Sequence, residues 1–424
     1  MDEIEVPQYF ICPISLQVMK DPVTAITGIT YDRESIEHWL FKAKNTTCPV
    51  TKQRLPRDTV VTPNHILRRM IQTWTSSLNG CNNITSSRSK ILVEGDLLSG
   101  GNGLKVIDKH PLHKAQVFGL IGDLWFPKLQ IKTLRRLEAL AVDENGIRNR
   151  KLMVKAGAAK AVAFFVARLY KAGETKGLEE ALRILYLLQV ETNLSLPETE
   201  QIIDSLTWVL GLDIDDYEAT VKSHAVLILK TIVEKASSSL LEMLKPEFFQ
   251  RILSALRKIS QQAIKAACQV MLDACPWGRN RIMMVESGAV SELIELELGS
   301  PEKRTTELIM GVLFHLCSSA DGRAQLLSHA AGIAVITKRI LKVSPAADDR
   351  AMAILSMVCK FSGTASVLQE MLRLGTITKL CLVLQVECAM HLKDKAKEIL
   401  RAHSVAWKNS PCVEITTLLS TYLG

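Results

Sequence analysis

The feature that most restricts the folding of this chain of 424 residues is an internal repeat. RNRKLMVKAGAAKAVAFFV, from Arg148, matches RNRIMMVESGAVSELIELEL, from Arg279, in the order of its charged, glycine and apolar positions. The same shape returns as GRAQLLSHAAGIAVITKRIL from Gly322 and as GTASVLQEMLRLGTITKLCLVL from Gly363. The turn glycines Gly157, Gly288, Gly332 and Gly375 stand 131, 44 and 43 residues apart, and 131 is close to three periods of 44. Each unit reads as a helix, a glycine turn and a longer apolar helix, with the glycine taking the positive φ that redirects the chain. One such unit cannot bury its apolar stripe alone, so neighbours must stack into a superhelix.

A period of 43–44 residues lies within the roughly 40–47 residues of armadillo and HEAT repeats. About six or seven units are expected. The copies near positions 200 and 244 are degenerate: Pro197 and Pro246 start helices there, where the other copies have glycines that end them. The apolar fraction of 47% supports large cores, and the aromatic fraction of 5% suits stacked helices better than an all-β fold. The reading is a mainly α protein in three parts: a small α+β domain at 5–79, a Gly/Ser/Asn-rich linker at 80–112, and an armadillo-type α-solenoid at 113–424.

Charge and cysteine content exclude several classes. The net charge of +8 is dispersed without a run of five or six Lys/Arg, which argues against a nucleic-acid-binding stripe. The acidic start MDEIEVPQYF is not a secretory signal, and no stretch has the length and apolarity of a membrane span. The ten cysteines are irregularly spaced. Those in helical runs, such as Cys268, Cys359 and Cys381, read as reduced core thiols of a cytosolic or nuclear protein. Cys268 and Cys275 are seven apart on one helix face, as are Cys381 and Cys388, which is core packing. His110 and His113 form a local HPLH without further ligands nearby, a surface or linker pair. Trp277-Gly-Arg-Asn280 resembles the Trp/Asn ladder of armadillo import adaptors only weakly, because the pair is not repeated.

The N-terminal domain carries the chemistry. Thr27-Gly28 separates two short strand-like runs. Asp32 is placed to cap a helix of about 33–44, whose Ile36, Leu40 and Ala43 share a face with Trp39 at its edge. Asn64 can cap a second helix bearing Leu67, Met70, Ile71, Trp74 and Leu78. Two loops remain, Ile11 to Met19 and Thr46 to Lys52. Alternation puts Cys12, Ile14 and Leu16 on one side of the first. Two RING zinc sites need eight ligands, and this segment offers only Cys12, Cys48, His38 and His65, with no C-x-x-C pair. No metal and no cofactor is expected. Hydrogen bonds and ion pairs must hold the loops, with Asp21, Asp32, Arg33, Glu34 and the Thr/Ser hydroxyls as candidates and their pairing left open.

CPISLQVMKDPV, GITYDRESI, TCPVTKQ and TPNHILRRMI occur in order at the spacing of the U-box of plant ubiquitin ligases. The chain is similar to the plant U-box/armadillo-repeat ligases, in their smaller stress- and immunity-related branch. The resemblance implies an E3 ubiquitin-protein ligase acting without a covalent ligase intermediate, so Cys12 and Cys48 are small buried apolar groups and not nucleophiles. It implies a carrier-binding groove made by Ile14, Leu16, Trp39 and Pro49. For Ile14 and Leu16 an ordinary core role fits the residues equally well. Lys52 stands where related ligases often have a cation bridging carrier and ubiquitin, although arginine suits that task better. The implied partners are an E2 carrier, ubiquitin and a protein substrate on the repeats, and the implied role is negative regulation of immune or stress signalling. Some U-boxes pair as homodimers, and the sequence leaves that open. Two alternatives stand beside the ligase: a non-enzymatic armadillo scaffold and a nuclear import adaptor. The absence of an Asn ladder and of a basic N-terminal arm disfavours the adaptor.

Overall fold

The computed structural model describes residues 10–42, 45–56, 61–79, 112–189, 195–213 and 218–408. The chain divides into two compact units, Met1–Asp108 and Lys109–Gly424. The expected linker at 80–112 lies, except for Leu112, outside the described residues, as do His110 and Ala43 and the side chains of Trp74 and Leu78.

In the first unit three short strands, β1 (Pro22–Thr24), β2 (Thr30–Asp32) and β3 (Thr62–Pro63), form a sheet in the order β2-β1-β3. Both pairings are antiparallel, with Val23 opposite Tyr31 and Pro63. Gly28 takes φ +78° in the β1–β2 turn, where a side chain would strain the backbone. Helix α1 (Arg33–Glu37) follows β2 directly and passes into a single π-helical turn, His38–Lys42, so the expected helix of 33–44 is interrupted. Helix α2 (His65–Asn79) packs Ile71 into the core. Asn64 caps it, its Oδ1 accepting from Leu67 N at 3.0 Å. The core comprises Phe10, Cys12, Met19, Val23, Ala25, Tyr31, Ile36, Cys48, Leu55 and Ile71.

The second unit is helical among its described residues. Its inner row is Gln130–Val142, Leu178–Leu188, Glu218–Glu234, Gln261–Ala274, Lys303–Leu316, Pro345–Ser362 and Met390–Ala402, each packed on the next. Among the described residues, the seven helices of that row mark seven units. Helices such as Ala158–Ala172, Leu196–Leu210, Pro246–Ala255 and Ala289–Leu298 form an outer layer. Pro197 and Pro246 do lie in the first turn of their helices, and Ser195 and Glu198 form a capping box that spans Pro197. One continuous apolar core runs from Val117 to Trp407. Each fully buried Leu or Ile in it contributes about 1.5–3 kcal/mol.

The repeat has two physical causes beyond apolarity. Gly157, Gly288 and Gly375 adopt φ of +80°, +80° and +72° at the bend, as the pattern requires. Gly332 does not: it opens the helix Gly332–Arg339, and a Cβ there would stand 1.9 Å from the carbonyl oxygen of Leu326, so close backbone approach fixes that glycine. The R-N-R motif closes the preceding inner helix. Asn149 Nδ2 donates to Leu140 O (2.9 Å) and Arg150 to Ala141 O (3.3 Å). In the later copy Asn280 donates to Ala274 O (3.2 Å) and Leu241 O (2.9 Å), and Arg281 to Cys275 O (2.7 Å). These carbonyls have no partner within their helix. Asn280 is fully buried and Trp277 Nε1 donates to Glu242, so this pair is structural and not part of a peptide-reading ladder. His113 likewise starts a helix, its backbone N–H donating to Gln116 Oε1.

Candidate functional site

The two loops of the N-terminal unit are copies of one conformation. Cys12-Pro13-Ile14-Ser15-Leu16-Gln17 and Cys48-Pro49-Val50-Thr51-Lys52-Gln53 share the pattern C-P-[Ile/Val]-[Ser/Thr]-x-Q. In each, the cysteine N–H donates to the glutamine carbonyl at 2.8 Å. The fifth residue donates back to the cysteine carbonyl, Leu16 at 2.8 Å and Lys52 at 3.0 Å. That fifth residue lies in the left-handed region, Leu16 at φ 56° and Lys52 at φ 61°. Such a knuckle is not an extended strand, so the alternation expected for Cys12, Ile14 and Leu16 fails. Cys12 is fully buried, Ile14 is half-buried against the core, and Leu16 is 76% exposed.

Both knuckles hang from neighbouring residues of β2. Asp32 N donates to Cys12 Sγ (3.3 Å), and the Tyr31 hydroxyl contacts Cys48 Sγ (3.0 Å). Thr27 Oγ1 and Thr51 N also donate to Cys48 Sγ, each at 3.4 Å. The cysteines are therefore hydrogen-bond acceptors and not merely small apolar groups, because the tight turn aims N–H and O–H groups at each sulfur. Burial opposes ionisation of Cys48, but the bonds from Thr27, Thr51 and Tyr31 outweigh it and bring the thiol down to about 6. Burial opposes ionisation of Cys12 as well, and the N–H groups of Ser15, Asp32 and Ile14 hold it below its ordinary value.

Asp32 stands before α1 without capping it. Its Oδ1 instead accepts from Lys20 N (2.7 Å) and Asp21 N (2.8 Å), closing the end of the first loop onto β2. Arg33 Nε pairs with Asp21 Oδ2 at 2.7 Å, and Arg68 reaches the other oxygen at 3.4 Å. The Arg33 bond holds the Asp21 carboxyl below the usual carboxylate range. Glu34 is exposed and has no ion pair among the described residues. Trp39, half-buried on the π-helical turn, donates its indole N–H to Thr47 O at 2.9 Å, two residues before Pro49. Pro49 is half-buried, and Val50 beside it is 49% exposed.

The outcome is a surface on which Leu16 and Val50 project from matched knuckles, with Ile14, Trp39 and Pro49 half-buried among the residues that hold them. Both cysteines of the knuckles are buried, so neither thiol is aimed outward. Sequence reasoning missed Val50, and the repeated C-P-[Ile/Val]-[Ser/Thr]-x-Q pattern was the signal that could have found it. Among the described residues no group of three or more His, Cys, Asp or Glu stands together as a metal site would require.

A U-box followed by armadillo repeats is the class these features define. The U-box domain model matches residues 6–79, and the model of the plant U-box protein ARM repeat region matches 122–423. The E3 ubiquitin-protein ligase PUB24 of Arabidopsis thaliana is 40% identical, with 98% of this chain and 96% of that protein covered. PUB23 of the same plant, also an E3 ubiquitin-protein ligase, is 41% identical over 99% of this chain and 98% of its own. Among solved structures, a chain from work on the interaction between cadherin and beta-catenin aligns with a TM-score of 0.55 at 14% identity, covering 73% of this chain and 56% of that one, which shows the shared fold. The chain belongs to the plant U-box/armadillo-repeat family of E3 ubiquitin ligases, enzymes that transfer ubiquitin.

Proposed function

We propose that the U-box docks a ubiquitin-charged carrier on Ile14, Leu16, Trp39 and Pro49 while the repeats hold the substrate. The observation that carries this is Leu16: a leucine 76% exposed, in a strained backbone conformation, is kept outward by hydrogen bonds on both sides of it. The substrate lysine amine attacks the thioester carbonyl that joins ubiquitin to the carrier cysteine. A C–N bond forms, the C–S bond breaks, and the sulfur leaves as thiolate while the amine loses its proton. The U-box contributes proximity and restraint of the conjugate. Lys52, exposed and aligned with Leu16 in the second knuckle, is positioned to donate to ubiquitin or carrier. The family resemblance supports a role in the negative regulation of immune or stress signalling, in the cytosol with access to the nucleus, and is compatible with pairing of two U-boxes.

Reconstitution with activating enzyme, a panel of carriers, ubiquitin and ATP tests this. A ladder of modified ligase is expected, and Ile14→Ala or Leu16→Ala should weaken carrier binding roughly thirtyfold, the equivalent of about 2 kcal/mol. Full activity in both variants overturns the groove. A blank with every carrier favours the scaffold reading.

A further inference from the structure

A pocket of about 120 Å³ opens in the outer layer of the repeats, between the helices Ala158–Ala172, Leu196–Leu210 and Pro246–Ala255. None of its lining residues belongs to the inner row. Sites for small molecules have about 300–1,000 Å³, so this pocket has room for a single side chain. Its buried lining is apolar: Ile203, Leu240, Leu244 and Phe248. Tyr170 and Trp208 line it as a pair, their ring centroids 5.7 Å apart, and Met243 stands at its edge, 46% exposed.

The rim is acidic. Glu200, Asp204 and Trp208 recur at every fourth residue and so share one face of their helix. Glu247 adds a third carboxylate, and the lining has one cation, Lys245. Lys245 Nζ lies 2.5 Å from Asp204 and 3.9 Å from Glu200. Arg251, outside the lining, meets Glu247 at 3.4 Å. Two cations thus face three carboxylates, and among the described residues Glu200 has only the long contact.

The rings are also uncovered. Elsewhere in the repeats Phe118, Trp125 and Phe361 are exposed, and each has one of the chain's own cations over its ring. Among the described residues no cation stands over Tyr170 or Trp208, although Tyr170 is exposed and carboxylates lie beside it.

Lys245 shows what the rim holds: a cation between Asp204 and Glu200. Its side chain takes no part in capping the helix that follows, and it is 51% exposed. A pair so open to solvent is worth little, so an incoming cation can replace it. Arginine suits the place better than lysine. Its planar fork bonds two carboxylates at once and its face stacks on aromatic rings, whereas an ammonium is a point charge. Tyr, Trp and Met are also enriched where proteins meet.

We propose that this pocket takes an arginine side chain from a partner protein, whose guanidinium displaces the Lys245 ammonium from Asp204 and Glu200 and stacks on the Tyr170–Trp208 pair. The site lies in the second unit and does not rest on carrier docking by the U-box.

The test uses the full chain and a dye-labelled peptide with one arginine between two leucines, read by fluorescence anisotropy. Counterparts carry lysine, citrulline or glutamate in place of the arginine. The arginine peptide should bind, the lysine peptide more weakly, and the uncharged citrulline and the glutamate peptides not at all. Asp204→Asn should weaken binding at least about tenfold, and Glu200→Gln should act in the same direction. Lys245→Met keeps the apolar stem and removes the competing ammonium, so it should tighten binding by up to about fivefold. Glu286→Gln, which removes an exposed carboxylate on the helix Gly278–Glu286, should change nothing.

An arginine peptide that binds neither the parent nor Lys245→Met overturns the inference. Unchanged or weaker binding in Lys245→Met, with thermal unfolding as in the parent, overturns the displacement. If that variant unfolds earlier, Glu200→Gln decides, and full binding there overturns the acidic rim. Equal binding of the citrulline peptide would mean an apolar groove indifferent to charge. Free butylguanidinium competing as well as the whole peptide would mean a small-cation site and overturn the protein partner.

Discussion

Trp39 and Thr47 are joined by one hydrogen bond, indole N–H to carbonyl at 2.9 Å, which fastens the π-helical turn to the strand of chain leading into the second knuckle. Trp39 therefore orients Pro49 and Val50 as well as presenting its own ring. Trp39→Phe keeps an aromatic ring and loses the donor, and should cost about 0.5–1.5 kcal/mol. Amide exchange at 47–53 should quicken in this variant, with carrier binding reduced less than in Trp39→Ala. Unchanged exchange in Trp39→Phe would show that the bond does not hold the loop.

Leu16 allows stability and function to be separated. Its left-handed backbone costs about 1–2 kcal/mol relative to the ordinary helical region. Glycine removes that cost but loses about 0.5–1 kcal/mol of chain entropy. Leu16→Gly should therefore fold at least as stably as the parent by thermal unfolding and still lose carrier binding. A destabilised Leu16→Gly would mean that the leucine side chain, despite its exposure, packs into the fold.

The Cys48 thiol makes the U-box sensitive to pH. Its ordinary value is 9.0 and its folded value about 6. The anion is favoured in the fold, so the contribution is complete above about pH 9 and disappears as pH falls through 6. Urea unfolding of the U-box should show stability rising across that window, and Cys48→Ala should flatten the rise. The same substitution leaves the Tyr31 hydroxyl, 0% exposed, without its thiol partner, at a cost of about 1–3 kcal/mol. An identical pH profile in Cys48→Ala would refute the assignment.

Glu297 and Arg339 form an ion pair inside the repeat core, the Glu297 side chain being 1% exposed. Thr306 Oγ1 donates to the same carboxylate at 3.1 Å, and Arg339 also donates to the Glu297 carbonyl at 3.0 Å. Burial pushes the Glu297 carboxyl up, against the pull of Arg339. Arg339→Ala strands that carboxylate and should destabilise the repeats by about 3–5 kcal/mol, whereas Arg339→Met with Glu297→Leu should cost much less. Calorimetry of the two variants decides it; equal losses would mean that packing, not charge, makes the contact.

The solenoid was legible in the sequence because its causes repeat. Glycines at 43–44-residue intervals and an apolar helical period report directly on bends and buried stripes. The knuckles were harder to read. C-P-I-S-L-Q is compatible with strand alternation, and nothing in a leucine or a lysine signals a positive φ; the surrounding hydrogen bonds impose it. The roles of Cys12 and Cys48 were misjudged for a related reason. A buried thiol reads as apolar until the N–H and O–H groups aimed at it are seen. Asp32 was recognised as a helix-entry residue, but its carboxylate is drawn to the N–H groups of Lys20 and Asp21, partners eleven and twelve residues away that no local rule names.

The unbroken core from Val117 to Trp407 has a mechanical consequence. Seven inner helices in series, each packed on the next and on the outer helices beside it, would behave as a soft spring: a bend applied to one end is divided into small rotations at every junction. Close-packed junctions resist local collapse while allowing that shared flexure. Under the proposed function, a protein held on such a spring would present its lysines over an arc rather than at one point, and ubiquitin would be expected on a neighbourhood of residues rather than on a single one.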